Sequence, residues 1–267
     1  MKKLIGVIIV FGAALLVAGA FMVYKGQATP VADRSLPVED EPLLVADTPT
    51  VDEVQPLPFY DGEQLVFDVY YKALKIGNSK LTFHGERELD GESFYYITFN
   101  TNAPAFKDDE EIYAYKGSFL PYRILRNIKR GGAFPIKIYE EYDQESFEVI
   151  IKEKGTILSK TRTIKKGQPI HNALLLTYLY RTMVNPERRR ISIPMSDFDI
   201  VSEGERTVMT GQGERLAHIF TGEPSKFTFW LSADDDMVPL KIVGHNMLDY
   251  SFVLVNVENV AQLSSRE

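Results

Sequence analysis

The chain has 267 residues, of which 45% are hydrophobic and 25% are charged, so it can bury a core and is not disordered throughout. It contains no cysteine, which excludes disulfides, thiolate metal sites, a cysteine nucleophile and a lipidated N-terminal cysteine. The net charge of −7 argues against a general nucleic-acid-binding protein, and no nucleic-acid partner is expected.

Residues 1–25 predict a membrane anchor or a signal sequence. Lys2 and Lys3 precede an uncharged run, residues 4–24, which matches the ~20 residues that span a bilayer as a helix. The positive-inside rule then gives a single-pass inner-membrane protein, with its N-terminus in the cytoplasm and its domain in the periplasm. The alternative is a signal peptide cleaved near Ala18-Gly19-Ala20, which would release the domain into the periplasm. Both interpretations export the domain.

Residues 26–58 predict a disordered linker. They contain six prolines and seven acidic residues against one base, Arg34, a composition that disfavours regular structure and extends the chain. In a polyproline II conformation such a linker reaches at most ~100 Å, whereas a flexible coil gives nearer ~30 Å. A plain spacer is the simplest interpretation, and a short binding motif such as Leu43-Leu44-Val45 is the alternative.

Residues 59–267 predict one β-rich domain outside the cytoplasm. Leu65, Phe67 and Val69 alternate with polar neighbours, as in a half-buried strand. We place turns at Gly77-Asn78 and at Asp90-Gly91, the second being a favoured hairpin pair, and we expect Phe134 to share a strand face with Ile136. Roughly a dozen such segments are too many for one flat sheet, so we expect an antiparallel, strongly curved sheet or open barrel.

Residues 169–184 break the alternation and predict a single helix. Pro169 suits the start of a helix, and apolar residues then follow at spacings of three and four, as in a buried helical face. Asn185-Pro186 ends the pattern. We expect this helix to pack against the concave face or the open end of the sheet.

Three features, taken together, resemble a bacterial envelope family known as domain of unknown function 3108. Their residues are Tyr60-Asp61-Gly62-Glu63-Gln64-Leu65, the helix from Ile170 to Arg181, and Phe229-Trp230-Leu231-Ser232-Ala233-Asp234 followed by Val238-Pro239-Leu240-Lys241. The resemblance spans about Phe59 to Val257. It departs from the family pattern at Asn172, where Asp usually follows the histidine. It implies an exported, mostly β domain and supplies no agreed activity or catalytic residues.

The candidate ligand-binding residues are His171, Tyr178 and Trp230. His171 lies in the first turn of the predicted helix, where a polar group could orient a ligand head group. The alternative is a surface or satisfied core histidine. The four histidines form no metal-binding motif.

Runs of charge are the remaining candidates for chemistry. Asp234-Asp235-Asp236 could hold calcium but lacks the glycine and closing glutamate of an EF-hand, so an acidic turn is favoured. The pairs Glu110-Glu111 and Glu140-Glu141 point to opposite faces if they lie in strands. The basic run from Glu187 to Arg190 could meet anionic lipid or an acidic partner, or begin a strand. We expect no metal, no cofactor and no catalytic residue.

Three functions remain open. The first is a non-catalytic binding module for an apolar or amphipathic envelope molecule, a lipid or a lipid-linked glycan, held in a concave apolar pocket. The second is a tethered interaction or scaffold protein with an envelope protein as partner. The third and least favoured is an enzyme acting on envelope polymers. The ligand, the partner and the oligomeric state do not follow from the sequence.

Overall fold

A computed structural model describes residues 57–104, 106–131, 134–156, 158–183, 188–224, 227–244 and 250–263. The predicted anchor and nearly all of the predicted linker lie outside these residues. Within them, no helix has the length and hydropathy needed to cross a membrane.

The described residues form one antiparallel sheet of 14 strands. The first half is a meander in which each strand pairs with the next; its strands are β1 (Glu63–Tyr71), β2 (Leu74–Leu89), β3 (Glu92–Ala103), β4 (Phe106–Ala114), β5 (Pro121–Arg130), β6 (Ile136–Asp143), β7 (Glu148–Lys154) and β8 (Ser159–Lys165). The second half is β9 (Arg189–Ile193), β10 (Ser196–Thr210), β11 (Gly213–Glu223), β12 (Phe227–Ser232), β13 (Pro239–Gly244) and β14 (Tyr250–Asn259). Each alternating segment of the sequence corresponds to one of these strands.

The chain begins in the middle of the sheet. It runs outward from β1 to the edge strand β8, crosses to β9 at the opposite edge, and returns to β14, which pairs with β1. Among the described residues β8 and β9 form no ladder, so the sheet is not closed. A single parallel bridge between Ile170 and Ser192 brings the crossing segment against β9.

Two helices accompany the sheet, α1 (Leu175–Arg181) and the short α2 (Val260–Leu263). All side chains of α1 are buried. The Tyr178 ring packs on Phe83 of β2, whereas the Tyr180 ring packs on Phe229 of β12. Because one short helix contacts both halves, the sheet curves around it, and the core lies between the helix and the concave face.

The helix is shorter than the predicted 169–184. The segment before it is extended, because Ile170 forms the bridge to Ser192 and the His171 N–H donates to the Ser192 carbonyl at 2.7 Å. The Asn172 side-chain oxygen then accepts from the N–H groups of Leu174 and Leu175 at 2.8 and 3.3 Å. Leu174, which immediately precedes the helix, makes no side-chain capping bond. Asn172 instead caps the turn that leads into the helix, so the helix begins later than the apolar spacing indicates.

Two local predictions in the first half are wrong. The chain does not turn at Gly77-Asn78, which lie within β2; it turns at Lys72-Ala73, where Lys72 takes a φ of +54°. Gly77 serves a close approach instead, since a Cβ there would lie 2.3 Å from the Asn102 carbonyl oxygen. Phe134 precedes the start of β6 and is exposed. The Asp90-Gly91 turn is confirmed, with both residues at positive φ.

Candidate functional site

The turns of the first half lie at two opposite ends. Because β1 to β8 are consecutive antiparallel neighbours, the turns after even-numbered strands share one end and the turns after odd-numbered strands share the other. We call the first the acidic end, because its turns and the adjoining strand ends contain Asp90, Asp143 and Glu145. We call the other the basic end, because the strand ends beside its β5–β6 and β7–β8 turns carry five basic residues, Lys129, Arg130, Lys137, Lys152 and Lys154.

A groove of about 690 Å³ opens at the acidic end, between the β4–β5 and β6–β7 turns. Its apolar lining includes Tyr115, Leu120, Tyr122 and Ile150. The Tyr122 ring stacks on Phe94 with centroids 4.3 Å apart and an interplanar angle of 10°, and the Tyr115 ring meets Phe94 edge-on at 5.3 Å. Since Phe94 is fully buried, the two tyrosine rings are fixed before any ligand arrives.

The Tyr122 hydroxyl is held by a carboxylate. It donates to Asp90 Oδ2 at 3.0 Å, and the Arg123 guanidinium donates to the same oxygen at 2.7 Å. Burial and then the bond to Asp90 raise the pKa of Tyr122 above its ordinary value. The phenol therefore stays protonated at neutral pH.

Four carboxylates line the groove: Glu141, Asp143, Glu145 and Glu148. Asp143 stabilises its own turn, accepting from the Ser146 hydroxyl at 2.7 Å and from two backbone N–H groups, and these bonds lower its pKa. Glu141 lies 3.5 Å from Arg123. Within the described residues Glu145 and Glu148 make no ion pair, so their oxygens can accept hydrogen bonds from a ligand beside the tyrosine rings.

Gln144 connects the groove to the segment before the helix. Its amide nitrogen donates to the carbonyls of Pro121 at 3.0 Å and Ile170 at 2.9 Å, and its amide oxygen accepts from the Ile170 N–H at 3.0 Å. The side chain thus pairs with Ile170 as a neighbouring strand would. This fixes the crossing segment against the wall of the groove.

His171 lies next to this junction and does not line the groove. Its Nδ1 is buried and has no hydrogen-bond partner within the described part of the chain. Burial, followed by the charge of Arg189, lowers the pKa of His171 to about 4, although the Pro169 and Ser192 carbonyls act in the opposite direction. The ring is therefore neutral at physiological pH.

The structure does not bring the three predicted ligand-binding residues together. Tyr178 is fully buried in the core, with its ring 5.1 Å from Phe59 and stacked on Phe119 at 5.9 Å. Trp230 alternates with the inward-facing Phe229 and so lies on the other face of β12, where Lys241 Nζ is 5.2 Å from its ring centroid. The ligand-binding role of these residues stays a prediction.

A buried charge network on the concave face was missed by the sequence reasoning. Asp108 and Glu110 of β4, Arg126 of β5 and Glu140 of β6 are all buried, and Arg126 is bonded to Asp108 and lies 3.7 Å from Glu110. Burial raises the pKa of Glu110 to about 7, although Arg126 lowers it. Strand alternation does place one carboxylate of each pair, Glu110-Glu111 and Glu140-Glu141, on the inner face of the sheet. Whether these two inner carboxylates lie close together depends on the order of the strands, which the sequence pattern does not give.

A second buried ion pair joins the three family-like features of the sequence. Arg181, at the end of α1, donates to both oxygens of Glu63 at 2.6 and 3.0 Å, to the Pro58 carbonyl at 2.9 Å and to the Asp236 carbonyl at 3.0 Å. Both charged side chains are almost completely buried. These residues therefore hold the helix, the start of β1 and the β12–β13 turn together.

The other charged runs are engaged locally. Asp234, in the β12–β13 turn, accepts from Ser232 at 2.5 Å and from Arg215 at 2.7 Å. Arg188 and Arg190 lie 2.7 and 3.6 Å from Asp199 at the start of the second half.

The match to a protein-family model covers residues 66–248, and the family is described as a protein of unknown function, DUF3108. The chain belongs to this family. A comparison with curated proteins finds no match. Among solved structures it is similar to a β-barrel-like protein of domain of unknown function DUF1849 from Brucella abortus, at 8% identity and a TM-score of 0.45, covering 74% of this chain and 97% of that one.

Two further structures are more distant. A protein of Bacteroides fragilis, described as exported and as having a YmcC-like fold, matches at 9% identity and a TM-score of 0.33, covering 76% of this chain and 98% of that one. A protein of Parabacteroides distasonis, described as a lipoprotein, matches at 9% identity and a TM-score of 0.26, covering 74% and 96%.

Proposed function

We propose that this DUF3108 domain is an exported, non-catalytic binding module for an amphipathic envelope molecule, and that the groove at the acidic end holds the polar part of that molecule. The observation that carries the proposal is the position of Glu145 and Glu148, two carboxylates that form no ion pair with any described residue and lie beside the fixed rings of Tyr115 and Tyr122. A lipid-linked glycan suits this chemistry better than a lipid alone.

The groove favours a neutral or amine-bearing polar group. Aromatic rings offer a flat apolar face to a sugar ring, and carboxylate oxygens accept bonds from its hydroxyl or amino groups. An anionic phosphate group would be repelled by four carboxylates. The concave apolar face, which the sequence suggested as the pocket, is occupied by the side chains of α1, so the groove is the better supported site.

The proposed location follows from the sequence. Residues 4–24 anchor the chain in the inner membrane as a single-pass segment, and residues 26–58 hold the domain in the periplasm, within reach of envelope lipids. Cleavage after Ala20 would leave the same domain soluble in the periplasm.

A scaffold function is the second candidate, and the edge strand β8 favours it. This strand pairs with β7 on one side only in the described residues, so its other side could accept a strand from a partner protein. Lys160 and Lys165 of β8 oppose this function, however, because lysines on an edge strand disfavour pairing with a strand of another protein. An enzyme is the least favoured, because the converging carboxylates of the concave face are buried.

Native mass spectrometry of the full chain, purified from membranes in mild detergent, tests the proposal. We expect a bound molecule whose fragments contain sugar and acyl or prenyl masses. Glu145→Gln combined with Glu148→Gln should reduce its occupancy at least ~10-fold, since each charged hydrogen bond contributes about 1.5–3 kcal/mol. The matched control, Glu88→Gln with Glu214→Gln, changes the same charge at exposed positions outside the groove.

Equal loss of the ligand in both double variants would mean that net charge matters and the groove does not. A ligand that survives in the groove variant and is lost in Tyr178→Phe would place the site in the interior. Either result would contradict the proposal.

A further inference from the structure

The basic end exposes apolar side chains at the tips of its hairpins. The three most exposed large hydrophobic side chains among the described residues are Leu158 at 80%, Leu74 at 68% and Phe134 at 66%. They lie in or beside the β7–β8, β1–β2 and β5–β6 turns respectively. All three turns follow odd-numbered strands and so share one end. The fold does not require large apolar side chains at these positions, because they are mostly exposed and polar residues could occupy the same turns without loss of stability.

Positive charge surrounds two of these tips. Residues 129–137 contain Lys129, Arg130 and Lys137 and no acid, and residues 152–160 contain Lys152, Lys154 and Lys160 against the single acid Glu153. The whole chain carries a net charge of −7, so the net positive charge of these two segments is opposite in sign to that of the chain. Lys129, Lys137 and Lys154 are exposed and can meet an anionic surface.

The two tips are close neighbours. Phe134 precedes β6 and Leu158 precedes β8, and only β7 separates these strands. At ~4.8 Å between strands, the two tips stand about 10 Å apart. Phe134 and Leu158 are therefore two neighbouring exposed apolar side chains surrounded by lysines. Protein surfaces that insert side chains between anionic lipid head groups have this pattern.

We propose that the β5–β6 and β7–β8 tips dock the domain on a bilayer surface containing anionic phospholipid. Phe134 and Leu158 enter the region between head groups and acyl chains, while Lys129, Lys137 and Lys154 contact the phosphates. An acidic protein would meet the same charges, and the experiments below separate it from a bilayer. The predicted linker, at up to ~100 Å, exceeds the ~30 Å length of the nine-residue β1, so it lets this end face the bilayer.

The absence of cysteine provides a specific test in the full chain. Ser159→Cys places one dye at the β7–β8 tip, and Gln212→Cys places one in the β10–β11 turn as a control. The labelled chain is reconstituted in phosphatidylcholine vesicles with or without phosphatidylglycerol, and quenching by nitroxide lipids is measured. We expect strong quenching at residue 159 only with phosphatidylglycerol, little at residue 212, and a decrease as salt is raised.

Variants then separate the apolar and the charged contributions. Phe134→Ser with Leu158→Ser should abolish quenching at residue 159, whereas Met209→Ser with Leu216→Ser, exposed side chains of the second half, should not. Lys137→Gln and Lys154→Gln should each lower the docking constant about five-fold, since a basic residue near an anionic surface contributes about 1 kcal/mol. Melting temperatures should stay unchanged, because all of these side chains are exposed.

Equal quenching with and without phosphatidylglycerol, or at residues 159 and 212, would overturn the proposal, because the anchor alone would then hold the domain near the lipid. A dye that responds to soluble polyglutamate and not to vesicles would identify an acidic protein partner and would also overturn it.

Discussion

The two ends of β1–β8 share the same eight strands and differ in almost every other respect. At the acidic end the turns are packed: Gln144 holds Ile170, Asp143 holds its own turn, and the tyrosines stack on Phe94. At the basic end the turns project Phe134 and Leu158 into solvent among lysines. Our two proposals account for this difference: a polar ligand binds at the acidic end, and the basic end docks on a bilayer surface.

That comparison fails if the exposed charges of the acidic end are needed for folding. We expect the buried ion pair between Arg181 and Glu63 to stabilise the fold instead. Arg181→Ala leaves Glu63 buried without its partner, and we expect a loss of about 3–5 kcal/mol in the free energy of unfolding, measured in urea. Glu148→Gln, at the same end, should change it by less than about 0.5 kcal/mol. A similar loss in both variants would contradict the division between structural and functional charge.

A second test concerns the buried carboxylates between the two ends. The pKa of Glu110 is about 7 when folded, against 4.5 as its ordinary value, so the fold favours the neutral carboxyl. Its contribution to stability is complete below pH 4.5 and is lost as the pH rises through 7. Relative to wild type, Glu110→Gln should gain up to about 3 kcal/mol between pH 4.5 and pH 8.

The control for this pH test is Glu111→Gln, the neighbouring carboxylate on the outer face of β4. This variant removes the same charge from the same strand and leaves the buried network intact, so its pH profile is the reference for that of Glu110→Gln. Identical profiles for the two variants would mean that burial does not favour the neutral form of Glu110, and would contradict this account.

The comparison is sharpened by two glycines, one near each end. Gly77→Ala, near the basic end, would put a Cβ 2.3 Å from the Asn102 carbonyl oxygen, and we expect a loss of about 1–3 kcal/mol from the forced backbone shift. Gly167→Ala, just after β8, meets no atom within 4 Å and should be neutral or slightly stabilising. Melting curves of both variants measure this, and a neutral Gly77→Ala would refute the close packing of the end of β3 on β2.

The smallest expected effect lies at the start of α1. Asn172→Ala removes the oxygen that accepts from Leu174 and Leu175 and should lower the free energy of unfolding by about 1 kcal/mol. Asn172→Asp keeps the acceptor, although it buries a charge. A larger loss in the aspartate variant than in the alanine variant would show that the cost of that charge exceeds the value of the cap.

Strand alternation predicts the strands, and apolar residues at spacings of three and four predict the buried residues of α1, because both patterns depend on residues close in sequence. It could not predict that β14 returns to pair with β1, or that Glu110 and Glu140 meet around Arg126, since these depend on strand order. Gly77 was read as a turn because a glycine required for close approach looks the same in sequence as one required for a turn. Gln144 gave no signal at all, because its partners are backbone groups of Pro121 and Ile170.

Hydrogen–deuterium exchange of the full chain, with its co-purified ligand and after the ligand is stripped, tests the central claim most directly. Our account predicts that stripping raises amide exchange in residues 115–122 and 141–148 and leaves α1 unchanged. Transfer from phosphatidylcholine to phosphatidylglycerol nanodiscs should instead slow exchange in residues 129–137 and 152–160. Faster exchange in residues 175–181 on stripping, with no change around the groove, would place the ligand in the interior and contradict the account.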